Sequence, residues 1–90
     1  MPRYVIERDF PGAGSLPAEE IGAISAKSND VLSRMPELQW DHSYVTDDKI
    51  FCVYVAPDAD SIRRHAEEGG FPANAIREVA HTIDPTTGGR

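Results

Sequence analysis

Five side chains of this 90-residue chain can do chemistry that neither a solvated surface nor a plain core requires: Glu7, His42, Cys52, His65 and His81. Imidazole nitrogen, thiolate sulfur and carboxylate oxygen together suit nickel, zinc or copper better than magnesium or calcium. His42 sits between Trp40 and Tyr44, two positions from each, in a run rich in aromatic and β-branched residues. An imidazole buried there must be neutral and hydrogen-bonded, or must ligate a metal. Glu7 lies inside an expected strand, where a carboxylate is costly unless it faces water, pairs or ligates. Its neighbour Arg8 is not that partner, because successive strand residues point to opposite faces. Cys52 reads as a small buried hydrophobe, the usual role of a lone cysteine, unless a base or cation nearby activates it. His65 falls three residues after Ile62, at the edge of a helical apolar stripe, and a hydrogen-bonded structural histidine is the commoner role there. His81 stands alone near the chain end. None of the standard metal-ligand spacings is present. Gly12-Ala13-Gly14 precedes a helix but lacks the later glycine and the lysine of a phosphate loop.

The elements that must position these groups can be read from periodicity. Arg3 to Phe10 predicts a first strand, and Pro11-Gly12-Ala13-Gly14 a loop. A helix is expected to begin between Ser15 and Pro17, with Ser15 as N-cap and Glu19 and Glu20 at the positive end of its dipole. Ile21, Ile24, Ser28, Val31, Leu32 and Met35 form its buried stripe, and Pro36 stops it. Trp40 to Ala56 reads as a β-hairpin turning at Asp47-Asp48. Strict alternation pairs Thr46 with Lys49, Tyr44 with Phe51, His42 with Val53 and Trp40 with Val55, all on one face. Asp41, Ser43, Val45, Ile50, Cys52 and Tyr54 take the other. A second helix is expected from about Ala59 to Glu68, capped by Asp58 or Asp60 and ended by Gly69-Gly70. Ala75 to Ile83 reads as the last strand.

The order β-α-β-β-α-β gives an α+β fold, the ferredoxin-like βαββαβ sandwich: a four-stranded antiparallel sheet with two helices on one face. Residues 1–84 are expected to form this single domain, and residues 85–90 a flexible tail. The other sheet face is then bare in a monomer, and an exposed apolar face of that size marks an interface. A homodimer through the sheet face is therefore expected. The helix-covered face is left open between the Trp40 set and the Cys52 set. If Cys52 faces the helices, it is expected to meet Glu7 and His65 within one subunit, with His42 at the dimer interface.

A net charge of -6 without clustered lysine or arginine argues against nucleic-acid binding. No apolar run approaches the ~20 residues of a membrane span, and the N-terminus lacks the apolar segment of a signal peptide, so the cytoplasm is the default location. Cys52 is the only cysteine, which excludes an internal disulfide.

Several long segments carry a resemblance: Tyr4-Val5-Ile6-Glu7-Arg8-Asp9 with Pro11-Gly12, Trp40-Asp41-His42-Ser43-Tyr44-Val45 with Asp48-Lys49, Cys52-Val53-Tyr54, and Ile62-Arg63-Arg64-His65-Ala66 followed by Gly70-Phe71-Pro72. Over Tyr4 to Pro85 the chain resembles a small bacterial family of ferredoxin-like domains of unknown function that includes a nickel-binding protein. The resemblance implies a dimeric binder of nickel or a similar divalent transition metal, for sequestration or storage, with Glu7, His42, Cys52 and His65 as candidate ligands at motif positions. Two alternatives remain. One is an enzyme of the dimeric α+β-barrel type, with Tyr54, His42 or Cys52 as acid–base or nucleophilic groups in a pocket between sheet and helices. The other is a metal-free small-ligand module.

Overall fold

The structure, a computed structural model, describes residues 1–89. Strands β1 (Arg3–Asp9), β2 (Gln39–Val45), β3 (Lys49–Val55) and β4 (Ala75–Glu78) form one antiparallel sheet in the order β2-β3-β1-β4. Helices α1 (Ala18–Leu32) and α2 (Ala59–Gly69) complete the expected βαββαβ order. No helix among the described residues is long and apolar enough to cross a membrane.

The central strands are dictated by alternation. In β1, Tyr4, Ile6 and Arg8 are buried while Val5 and Glu7 are half-buried; in β3, Ile50, Cys52 and Tyr54 are buried while Phe51, Val53 and Val55 are half-buried. The buried set faces the helices, where Val31, Met35, Leu38, Ile62 and Ala66 close the core. The Cys52 set, then, is the one the helices cover.

Helix α1 begins later than Ser15 predicts. Ala13–Ser15 closes a 3-10 turn, and Pro17 takes the cap position with extended backbone and no side-chain cap. Helix α2 has the stronger start: the Asp58 carboxylate accepts the Ser61 N–H at 2.8 Å. That bond, with a second from the Ser61 hydroxyl, holds the Asp58 carboxyl below its ordinary range. Gly70, in the left-handed region at φ 68°, ends the helix.

Two expectations need correction. Trp40 pairs with Tyr54 rather than Val55, because the β2–β3 register shifts between Trp40 and His42. Asp41 is the extra residue of this bulge, so Trp40 joins the helix-side face while His42 stays opposite Val53 on the open face. Strand β4 stops at Glu78 rather than Ile83. The Val79 N–H still bonds the Arg3 carbonyl at 2.8 Å, but Arg3 is the first residue of β1 and the Pro2 carbonyl already accepts from Ala56. Beyond it there is no strand edge left to pair. Asp84 then caps a short 3-10 turn, Pro85–Gly88, accepting from Thr86 N–H at 2.8 Å. Arg90, the end of the expected tail, lies outside the described residues.

Candidate functional site

Between the sheet and the two helices lies a cavity of about 270 Å³. The sheet supplies Arg8 from β1, Trp40 and Ser43 from β2, and Ile50, Cys52 and Tyr54 from β3. Helix α1 supplies Ile21, Ile24, Lys27 and Ser28, and α2 supplies His65; the turn after α2 adds Phe71 and Pro72.

Three polar groups in this wall form one chain. The Ser28 hydroxyl lies 3.3 Å from Tyr54 Oη and 3.2 Å from His65 Nε2. All three residues are at most 5% exposed. Burial, reinforced by the positive charge of Arg8, lowers the His65 pKa to about 4, so its ring is neutral at physiological pH. Burial also raises the Tyr54 hydroxyl above its ordinary value, which keeps it protonated and able to donate. Among the described residues, His65 Nδ1 is the one buried side-chain nitrogen or oxygen without a hydrogen-bond partner.

Arg8 is 4% exposed. Its Nε donates to Cys52 Sγ at 3.4 Å and its Nη1 to the Pro72 carbonyl at 2.6 Å. Its guanidinium lies over the Phe71 ring, 5.5 Å from the centroid, with Lys27 Nζ 5.7 Å from the same centroid. The ring itself is stacked near His65, at 5.6 Å and 22°. It packs against Gly69, where any Cβ would collide with its edge.

The sequence candidates divide between the two faces. Cys52 and His65 line the cavity. Glu7 stands on the opposite face, because it alternates with the buried Ile6 and Arg8, and its carboxylate pairs with Lys49 Nζ at 3.4 Å. It does not join Cys52 and His65. His42 is exposed on the open face, edge-on to Tyr44 with ring centroids 5.0 Å apart. His81 is exposed beyond the end of β4. Among the described residues, no three His, Cys, Asp or Glu side chains meet where they could hold a metal ion.

A family model described as nickel responsive protein SCO4226-like matches residues 4–79. The chain belongs to this family. The SCO4226-like span takes in all four strands except Arg3, both helices and every residue of the cavity, and it ends before His81. A solved structure, the crystal structure of SCO4226 from Streptomyces coelicolor A3(2), superimposes with a TM-score of 0.76 at 15% identity, over 90% of this chain and 99% of that one. At that identity the likeness speaks for the fold. No curated protein matches the chain.

Nickel does not fit the cavity of this SCO4226-like domain. Cys52 and His65 are suitable donors, but the guanidinium already bonded to the thiol opposes a divalent cation, and no carboxylate lines the wall. The decisive residue here, Arg8, was legible in part: it is in phase with Tyr4 and Ile6, which puts an arginine on the core face. Ser28 fell on the buried helical stripe without a partner to give it a role.

Proposed function

We propose that two copies of the chain pair through the open sheet face and hold nickel, or a similar divalent transition metal, between them, for sequestration or storage in the cytoplasm. The observation that carries this reading is the placement of His42. It is an exposed imidazole on a face whose Val5, Phe51, Val53 and Val55 are only half-buried and whose Tyr44 is 62% exposed. Glu7 stands on the same face. Pairing this face with its copy would gather two imidazoles and two carboxylates at one interface, a nitrogen-and-oxygen donor set that suits nickel. Glu7 would exchange its Lys49 partner for the metal. Around the apolar strip Arg3 pairs with Asp41 at 3.2 Å and Lys49 with Asp9 at 2.6 Å, which leaves Arg77, opposite Val5, as the cation there without an ion pair among the described residues. Its membership of a nickel-responsive family supports the choice of metal.

The test is calorimetric titration of tag-free protein with nickel chloride, alongside sedimentation equilibrium. The expected result is a dimer with saturable uptake that His42→Ala abolishes and Cys52→Ser leaves intact. Absence of saturable binding at micromolar nickel ends the metal reading. Uptake that survives His42→Ala but not Cys52→Ser would move the site to the cavity.

A further inference from the structure

In a chain of net charge -6, the cavity wall carries two cations, Arg8 and Lys27, and no aspartate or glutamate. Local charge is therefore opposite in sign to that of the whole molecule. Arginine is seldom buried without an acidic partner. Yet every ion pair among the described residues involves other groups, and Arg8 spends its bonds on a thiol and a backbone carbonyl. A guanidinium has five N–H donors in a fork that matches a carboxylate, so several remain for a ligand.

His65 stands in the same wall. The Ser28 hydroxyl lies between Tyr54 Oη and His65 Nε2, and the His65 tautomer sets which atom donates at each contact. His65 Nδ1 has no hydrogen-bond partner. The rest of the wall, Ile21, Ile24, Ile50, Trp40 and Phe71 among it, is apolar.

We propose that this cavity binds a small organic carboxylate with an apolar or aromatic body, its carboxylate held by Arg8 with Lys27, its body against Trp40 and the isoleucines. A free inorganic anion would leave the apolar wall unfilled, and a neutral apolar molecule would leave the buried cation uncompensated. The site is on the opposite side of the sheet from His42 and Glu7 and does not depend on metal.

Trp40 is the chain's only tryptophan and lines the cavity, so its fluorescence reports occupancy. Metal-free, tag-free protein is titrated with benzoate and 2-naphthoate, and with benzamide and 2-naphthamide, which match them in shape without the charge. The expected result is saturable quenching or shift of Trp40 emission, at least tenfold tighter for each acid than for its amide. Arg8→Gln is expected to erase that preference. Lys27→Ala, at an exposed position, is expected to weaken the acids severalfold and leave the amides unchanged. Equal binding of acid and amide by the unmodified protein overturns the proposal, as does no binding of either acid at millimolar concentration. Should Arg8→Gln fail to fold, the acid–amide ratio and Lys27→Ala still decide.

Discussion

The two faces of the sheet handle charge in opposite ways. On the open face, Glu7 and Asp9 share Lys49, and Arg3 reaches Asp41; these pairs are wetted, and Arg77, opposite Val5, stands exposed without an ion pair among the described residues. On the covered face, Arg8 is buried beside Cys52, Tyr54 and His65 with no acid in reach. Exposed pairs of the first kind stabilise little, in the range of about 0–1 kcal/mol each. A buried guanidinium without an acidic partner is costly. In the proposals above, the open face meets a second copy and the covered face receives a molecule.

The sharpest way to break this contrast is to truncate one aromatic on each side. Tyr54→Ala removes a 2%-exposed side chain from the covered face and is expected to cost about 3–5 kcal/mol, the range for large buried aromatics. Phe51→Ala, its neighbour on the open face, is expected to change the stability of the dissociated chain by under about 1 kcal/mol while shifting the sedimentation equilibrium toward monomer. Denaturant unfolding of both variants at low concentration separates the two effects. If Phe51→Ala is as destabilising as Tyr54→Ala in the monomer, the open face is part of the core and the contrast fails.

Acid tests the covered face from another side. The His65 pKa is depressed to about 4 in the folded chain against an ordinary value near 6.5. Between those values the unfolded chain binds the proton and the folded chain does not, so stability falls as pH drops from about 6.5 toward 4. The expected loss is on the order of 3 kcal/mol. Urea midpoints for the unmodified protein and for His65→Gln measure it: the variant should show a distinctly flatter pH profile across this window. A profile unchanged by the substitution would place the acid sensitivity elsewhere.

A gentler probe is Gly69→Ala. The added methyl collides with the Phe71 ring, and ring displacement disturbs its contacts with Arg8, Lys27 and His65 together. The expected result is a weakened preference of the cavity for carboxylates, with nickel uptake at the open face unchanged.

Much of this architecture was legible in the residues. Alternation in Tyr4-Val5-Ile6-Glu7 and in Ile50 to Tyr54 fixed both central strands, and Asp58 with Gly69-Gly70 marked the second helix at each end. The element order was therefore readable, while the end of β4 and the start of α1 were not. The site was not, for reasons specific to particular residues. Reading Glu7 and Cys52 as neighbours respected strand adjacency but not phase: Glu7 pairs opposite Phe51, and Cys52 opposite Ile6. Pairing Trp40 with Val55 assumed an unbroken ladder, and nothing in Trp40-Asp41-His42 announces a bulge. The Ser28, Tyr54 and His65 chain joins a helix, a strand and a second helix, up to 37 residues apart in sequence. Such a contact is set by helix rotation over the sheet, which periodicity defines only to within a stripe.

The bulge at Asp41 carries a consequence for how this hairpin tolerates changes of length. Removing one residue from a strand ordinarily turns everything on one side of the cut inside out. Here Asp41 is already the surplus residue, so a chain lacking it would regain an unbroken alternation with Trp40 still opposite Tyr54 and His42 still opposite Val53. The chief loss would be the ion pair with Arg3. Asp41 is thus the single position in this strand where a codon can be deleted while both surfaces keep their inventories.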